Sequence, residues 1–139
     1  MIRYLLDTNI VSEPTRKTPN PDVLEQLRVH QYEMAIASVV WHELVYGLER
    51  LPAGRKRDYL SDYLRRVVEP SLPVLDYDVA AAHWHGAERA RLEALGRPRP
   101  IADGMIAAIA ATRNLILVTR NTEDYAPFDG LHLENWFVV

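Results

Sequence analysis

The feature that most constrains the fold is a short apolar run near the start of the chain, Tyr4-Leu5-Leu6, which stops at Asp7. The run is too short for a helix and has no polar alternation, so it predicts a strand that is buried on both faces. Strands of this kind form parallel sheets, whose ligand chemistry lies at the carboxyl ends of the strands. Asp7 follows the strand at that end. It either caps the next helix or joins other carboxylates in a site.

Further apolar runs, separated by amphipathic segments, predict an α/β fold. Strands are predicted at Met34 to Ala37, at Val74-Leu75 and at Leu115 to Val118, with an edge strand between Leu131 and Phe137. Helices are predicted from Pro21 to about His30, from Ser38 (as N-cap) to Arg50, from Arg57 to Val68, from Val79 to Leu95 and from Ile101 to Thr112. This alternation favours one domain over residues 1–139: three layers, α/β/α, around a mostly parallel sheet of four to five strands.

The composition excludes several classes of protein and site. The chain has no cysteine, which removes disulfides, thiolate metal sites and cysteine nucleophiles. It has no apolar run of membrane length and no signal-peptide pattern, so we expect a cytoplasmic protein. The formal charge of −3 argues against nucleic-acid binding. That argument weakens if several acids bind cations, because the bound charge reverses the local field.

Two acids lie on the apolar stripes of predicted helices. Glu43 comes three residues after Val40 and four before Gly47, so it points towards the interior. A carboxylate there either binds a metal or lies at the edge of the stripe, paired with Arg50 or another base. Asp103 heads the buried stripe of the helix that begins at Ile101. It is either a capping or first-turn acid or part of a site.

A fourth acid follows the strand that ends at Val118. Thr119, Asn121 and Asp124 come after this strand, in the arrangement already seen at Asp7. If the carboxylates meet, their repulsion requires a cation, and oxygen-only ligands suit Mg²⁺ or Mn²⁺ and phosphoryl chemistry. Two histidines do not extend this set: His83 and His85 are two residues apart, so they face different directions on a helix and are predicted not to be ligands.

Four blocks of the sequence, in this order, resemble those of the PIN-domain ribonucleases, specifically the VapC/FitB-type toxins of bacterial toxin–antitoxin pairs. The blocks span nearly the whole chain: Leu5-Leu6-Asp7-Thr8-Asn9, Glu43-Leu44-Val45-Tyr46-Gly47-Leu48-Glu49-Arg50, Ala102-Asp103-Gly104-Met105-Ile106-Ala107-Ala108, and Val118-Thr119-Arg120-Asn121 with Asp124-Tyr125. One departure is Val40, where relatives often carry a hydroxyl residue three positions before the Glu.

The resemblance implies metal-dependent cleavage of RNA by water, which leaves a 5′-phosphate and a 3′-hydroxyl. Asp7 and Asp103 would be the main ligands of Mg²⁺ or Mn²⁺, and Glu43 would complete the site or orient the water. The fourth position is open between Asp124, which we favour, and Asn121. Nearby polar groups would hydrogen-bond the ligands or the phosphate: Thr8, Asn9, Thr119 and Asn121.

The resemblance also implies partners. These are a second copy of the chain, forming a homodimer, and a cognate antitoxin whose tail covers the acidic pocket and which carries the DNA-binding part. A basic cluster is either a solvated helix face or a contact for the RNA backbone. It comprises Arg55, Lys56, Arg57, Arg65 and Arg66, with Arg97 and Arg99 as further candidates.

Three other interpretations compete with a PIN-type nuclease. A phosphatase of the haloacid-dehalogenase kind needs a second acid two residues after the first, where this chain has Asn9. A phosphotransfer receiver domain needs an early acidic pair and a late lysine, and the sequence has neither. The remaining alternative is a catalytically silent PIN-like scaffold that binds RNA or protein, which the presence of all the expected acids disfavours.

Overall fold

A computed structural model of the chain describes residues 1–137, which form a five-stranded sheet with helices on both faces. The strands are β1 (Tyr4–Leu6), β2 (Met34–Ala37), β3 (Val74–Leu75), β4 (Ile116–Val118) and β5 (His132–Glu134). Their order is β3-β2-β1-β4-β5, and every neighbouring pair is parallel. The predicted α/β/α fold is confirmed, including the edge strand near the end of the chain.

Eight α-helical segments lie within residues 1–137. They are α1 (Thr8–Val11), α2 (Pro21–Val29), α3 (Ser38–Glu49), α4 (Arg55–Tyr63), α5 (Glu69–Ser71), α6 (Val79–Ala94), α7 (Ile101–Thr112) and α8 (Thr122–Tyr125). A 3₁₀ turn covers Glu13–Thr15, and a π-helical segment covers Leu64–Val68. In this part of the chain no helix has the length and apolar character needed to span a membrane.

The strand order creates a crevice beside β1. From β1 the chain goes to β2 and β3 on one side, and it later places β4 and β5 on the other side. In open α/β sheets, ligands bind at the carboxyl ends of the strands where the order reverses in this way. Here that position lies between β1 and β4, where Leu6 pairs with Val118 and the Asp7 N–H donates to the Val118 carbonyl at 2.9 Å.

The prediction of a regular helix from about Arg57 to Val68 is wrong in its geometry. The helix begins two residues earlier, at Arg55, and changes after Tyr63 into the π-helical segment, in which the Glu69 N–H bonds to the Leu64 carbonyl. Pro70 follows directly; it has no N–H and its ring would crowd the carbonyl four residues earlier, so the wider turn avoids a conflict that a regular α-helix would meet.

The predicted N-cap of α3 is also wrong. Ser38 is the first residue of the helix, Ala37 occupies the capping position, and no side chain caps the helix. The reason is that β2 continues into α3 without an intervening turn residue. At α6, by contrast, Asp78 caps the helix as predicted, because its carboxylate accepts from the Ala81 N–H at 2.9 Å.

Helices α6 and α7 pack closely at Gly104, the residue after Asp103. A Cβ atom at this position would overlap the imidazole of His85. His85 is buried, and its Nδ1 lies 3.1 Å from the hydroxyl of Tyr77. Burial lowers the pKa of His85, which favours the neutral ring. The glycine therefore allows His85 to pack directly against the first turn of α7, which carries Asp103.

We expect Gly104→Ala to lower the free energy of unfolding by about 1–3 kcal/mol, because the added methyl group displaces His85 from a packed position. Gly86→Ala is the matched control. Gly86 is an exposed glycine of α6 with nothing near its missing Cβ, so alanine there should raise stability by about 0.5–1 kcal/mol. Urea denaturation of the three proteins measures both effects. A Gly104→Ala protein as stable as the parent would contradict the packing described here.

Candidate active site

Asp7 is buried at the end of β1 and accepts three hydrogen bonds. Its Oδ1 accepts from the Thr8 N–H at 2.8 Å, which makes Asp7 the N-cap of α1. Its Oδ2 accepts from the hydroxyl of Thr119 at 2.8 Å and from that of Tyr125 at 3.4 Å. Asp7 therefore caps α1, and its carboxylate is also bound by two hydroxyl groups from the segment that follows β4.

Burial dominates the protonation of Asp7 and of its partner Tyr125. Burial raises the pKa of Asp7, and the hydrogen bonds from Thr119, Thr8 and Tyr125 only partly offset this increase. Burial and the nearby carboxylates raise the pKa of Tyr125 far above its usual value of 10, so the phenol keeps its proton and acts as a donor. Asp7 is thus held by neutral donors alone.

Glu43 is half-buried on α3 and accepts a hydrogen bond from the hydroxyl of Thr8 at 2.5 Å. Of the alternatives left open for Glu43, pairing with Arg50 is not what the structure shows, since the Arg50 guanidinium lies over the ring of Tyr46. Thr8 therefore donates to two acids, from its backbone to Asp7 and from its side chain to Glu43. This connection brings the acid of β1 and the acid of α3 to one place.

Asp103 and Asp124 are joined by Arg99. The Nη2 atom of Arg99 lies 3.3 Å from Oδ1 of Asp124 and 3.9 Å from Oδ2 of Asp103. Asp103 stands in the first turn of α7, but the N-cap position belongs to Pro100, so Asp103 does not cap the helix. Both acids face the segment that precedes α7.

The four predicted acids act on one another electrostatically. Burial raises the pKa of Asp103, and the charges of Asp7, Asp124 and Glu43 raise it further, while Arg99 lowers it. Asp124 also raises the pKa of Asp7. The carboxylates from β1, α3, α7 and α8 therefore converge at the carboxyl edge of the sheet, beside the crevice between β1 and β4.

The four polar residues predicted around the acids take different positions. Thr8 and Thr119 donate to carboxylates, as described above. Asn9 accepts from the Arg120 N–H at 3.1 Å and so ties the end of β1 to the loop after β4. Asn121 is exposed, and its backbone N–H donates to the Thr119 hydroxyl. Of the two candidates for the fourth position, Asp124 is the one coupled to the other acids.

The donor set suits a hard divalent cation, although its ligands are not pre-assembled. Carboxylate and hydroxyl oxygens are ligands that Mg²⁺ and Mn²⁺ prefer, and the mutual repulsion of the acids is relieved by positive charge. Among residues 1–137, however, no three Asp, Glu or His side chains stand close enough together to hold a metal ion. Binding would require side chains such as Asp103 and Asp124 to turn away from Arg99.

Sequence reasoning missed two contributors to the site. Tyr125 was named only as part of a motif, yet it is buried and its hydroxyl reaches Asp7. The available signal was its position directly after Asp124 in the block that follows β4. Arg99 was considered only for RNA, yet it contacts two of the acids. Arg99 comes four residues before Asp103, a spacing that would bring the two side chains together within a helix. However, Arg99 precedes the start of α7, so helical periodicity did not predict this contact.

The predicted basic cluster is divided by the structure. Arg57 donates to the carbonyls of Leu48, Glu49 and Leu51 at 2.8–3.1 Å and so caps the end of α3. It also pairs with the Glu49 carboxylate. The remaining four members are exposed: Arg55, Lys56, Arg65 and Arg66. Arg57 therefore has a structural role, and the exposed members remain the candidates for RNA contacts.

Comparison with known proteins gives the family. The model of the PIN domain matches residues 4–129. The chain is 38% identical over 138 residues to the "tRNA(fMet)-specific endonuclease VapC" of Shigella flexneri, covering 98% of this chain and 99% of that protein. The chain belongs to the PIN-domain family. The acids of this PIN domain therefore lie in the blocks that first indicated the resemblance.

Solved structures of relatives share the fold of this PIN domain over nearly its whole length. FitAcB from Neisseria gonorrhoeae superposes with a TM-score of 0.90 at 29% identity, covering 98% of this chain and 99% of that one. DNA-bound VapBC from Salmonella typhimurium superposes with a TM-score of 0.85 at 31% identity, covering 98% and 99%. The second of these neighbours is bound to DNA. A further neighbour, VapBC-5 from Mycobacterium tuberculosis, is a member of the VapBC family of toxin–antitoxin systems and superposes with a TM-score of 0.69 at 25% identity, covering 97% of this chain and 98% of that one.

We expect Asp103→Asn to stabilise the metal-free PIN domain at neutral pH, because the neutral amide avoids the charge that burial and the other acids disfavour. The pKa of Asp103 is raised above 3.8 by folding, so its favourable contribution is present below pH 3.8 and lost as the pH rises through the folded value. The difference between variant and parent should therefore shrink as the pH falls towards 3.8. Urea denaturation of both proteins in EDTA, from neutral pH down to pH 3.8, measures this difference in the free energy of unfolding.

Asp58→Asn is the control for this experiment. Asp58 is an exposed acid in the first turn of α4, as Asp103 is in the first turn of α7. Loss of its charge should cost a few tenths of a kcal/mol through the helix dipole. A loss of stability at neutral pH in Asp103→Asn would contradict the electrostatic strain inferred for the acid site.

Proposed function

We propose that this PIN domain is a Mg²⁺- or Mn²⁺-dependent endoribonuclease that acts as the toxin of a toxin–antitoxin pair in the cytoplasm. The observation that carries the proposal is the convergence of Asp7, Glu43, Asp103 and Asp124 at the carboxyl edge of the sheet, where the charges of the other three acids raise the pKa of Asp103 and the charge of Asp124 raises the pKa of Asp7. The nuclease names of its full-length relatives support it.

In this proposal the four carboxylates hold the cation and the water that attacks the phosphodiester. Asp7 and Asp103 are the main ligands, Glu43 completes the site or orients the water, and Asp124 is the fourth group. The bound cation would neutralise the phosphate, activate the water and stabilise the leaving oxygen. The protein residues around it fix the ligands: Thr119 and Tyr125 orient Asp7, and Thr8 orients Glu43.

The proposed partners are supported by the structural neighbours, which include DNA-bound VapBC and a member of the VapBC family of toxin–antitoxin systems. We propose that a cognate antitoxin covers the acidic site and that DNA is contacted only through that antitoxin. We also propose that the toxin forms a homodimer. The substrate is RNA. Cations bound at the acidic site and the exposed basic residues of α4 and the π-helical segment offset the repulsion between the acids and the RNA phosphates.

Asp7→Asn is expected to lower the rate of RNA cleavage at least about a thousandfold, because it removes a ligand charge without changing the shape of the side chain. Purified antitoxin-free protein is incubated with total cellular RNA in Mg²⁺, Mn²⁺ or EDTA, and the fragment ends are sequenced. Cleavage should stop in EDTA and leave 5′-phosphates. Circular dichroism checks that the variant is folded.

Glu123→Gln is the matched control, since Glu123 is an exposed acid beside Asp124 in the same helix. This variant should cleave at close to the parental rate. An Asp7→Asn protein that cleaves as fast as the parent would contradict a carboxylate–metal mechanism. Absence of cleavage by folded parent protein on intact tRNA and ribosomes in either metal would favour the silent scaffold instead.

The exposed basic residues lead to a separate prediction about RNA binding. In Lys56→Ala/Arg65→Ala, the slope of log K against log salt should fall by about 1.4, since each lost single-strand phosphate contact contributes about 0.7. Arg89→Ala on α6, which pairs with Glu93 outside the cluster, should leave the slope unchanged. Fluorescence anisotropy with the cleavage-deficient Asp7→Asn protein measures this. An unchanged slope in the double variant would contradict RNA contacts and favour the alternative, in which these residues are only the solvated face of a helix.

A further inference from the structure

Arg99 lies in the proline-rich segment that leads into α7, and its side chain turns into the acid site. The side chain is 26% exposed, and its Nη2 atom contacts Asp124 and Asp103. Pro98 and Pro100 flank it and restrict the backbone, so we expect this contact to break by movement of side chains and not of the segment.

Arg99 is the cation of the acid site within residues 1–137. The ion pairs of Asp103 and Asp124 in this part of the chain are made with Arg99, while Asp7 and Glu43 are held by neutral donors. Arg99 also lowers the pKa of Asp103, against the effect of burial and of the other acids. One positive side chain thus partly compensates a group of four carboxylates.

The guanidinium is held by charge and not by a full set of hydrogen bonds. Its Nε is buried and has no hydrogen-bond partner in the described part of the chain. An arginine that binds a carboxylate for structural reasons normally uses two parallel N–H donors, as Arg91 does with Glu88 at 2.7 and 2.9 Å. The Nη2 atom of Arg99 lies 3.3 Å from Asp124 and 3.9 Å from Asp103, and both distances are longer than the two Arg91 bonds. This arrangement leaves the guanidinium easier to displace than that of Arg91.

We propose that Arg99 is a positioning residue of the acid site that acts as its counter-cation without metal and thereby sets the affinity for the divalent cation. The inference rests on the proposed function, because it takes Asp103 and Asp124 as ligands. A divalent cation and a guanidinium repel each other when they share the same oxygens. Metal binding therefore requires Arg99 and these carboxylates to separate, and the lost ion pairs weaken the observed affinity.

The test measures Mn²⁺ binding directly, by isothermal titration calorimetry at low salt. Arg99→Gln should bind Mn²⁺ about tenfold more tightly than the parent, because the competing charge is gone. Arg99→Met is a second neutral variant that fills similar space and should show the same increase in affinity. The test can therefore still be made if one of the two variants fails to fold. Arg99→Lys keeps the charge and should lie close to the parent.

Arg97→Gln is the matched control. It removes the same charge from the same segment, but Arg97 is exposed, so its effect on the Mn²⁺ affinity should stay within about twofold. Asp103→Asn should weaken binding in both the parent and the Arg99→Gln background, which locates the measured ion at the acid site.

The outcomes separate this inference from the function on which it rests. Suppose that the parent binds Mn²⁺ at Asp103 and that the neutral Arg99 variants bind it equally well or more weakly. This result overturns the role of Arg99 but does not contradict a metal-dependent nuclease. No Mn²⁺ binding by any of the folded proteins overturns both. Tighter binding in Arg97→Gln to the same extent as in Arg99→Gln also overturns it, since the effect would then come from net charge.

Discussion

The structure depends on keeping a carboxylate buried at the end of its central strand. Asp7 is 7% exposed, and burial disfavours its charge. Three donors hold it: the first N–H of α1, the hydroxyl of Thr119 after β4 and the phenol of Tyr125 in α8. These donors come from widely separated parts of the chain, so the acid is held only when β1 and β4 are paired and α8 is folded. Asp7 thus links the pairing of the sheet to the geometry of the site.

The sheet order explains why the other acids gather around Asp7. β1 lies in the middle of the sheet with β2 on one side and β4 on the other, so the segments that follow these three strands leave from the same edge. α3 brings Glu43 from the β2 side, and the loop and α8 bring Asp124 from the β4 side. α7 brings Asp103, and the packing of Gly104 against His85 fixes its first turn against α6. Charge is therefore concentrated where the strand order reverses.

Much of this arrangement could be predicted because it follows local rules. The apolar runs located four strands and a weak alternation located the edge strand. The acids that follow strands or lie on apolar stripes are the ones that converge: Asp7, Glu43, Asp103 and Asp124. What could not be predicted depends on contacts between distant residues. The bond from Thr8 to Glu43 and the bond from Tyr125 to Asp7 join positions 35 and 118 residues apart. No periodicity reports such contacts.

Arginines were the hardest residues to interpret, because their long side chains reach different partners in the fold even where the surrounding sequence is similar. Arg57 was grouped with its basic neighbours but caps the carbonyls at the end of α3. Arg99 was grouped with RNA-binding candidates but contacts two acids. The direction of an arginine depends on which acceptors the fold brings within reach, and a charge count does not contain that information. The π-helical turn before Pro70 was missed for a related reason, since the pattern alone does not show how a helix adjusts to a proline.

The central claim is that these four carboxylates form one cation site, and anomalous X-ray diffraction from Mn²⁺-soaked crystals of the antitoxin-free protein tests it most directly. The account predicts an anomalous peak within about 2.0–2.4 Å of carboxylate oxygens of Asp7 and Asp103, with Glu43 or Asp124 nearby. It also predicts that Arg99 has turned away from Asp103. A peak bound by other residues, or an acid site that binds no manganese while Arg99 keeps both ion pairs, would contradict it.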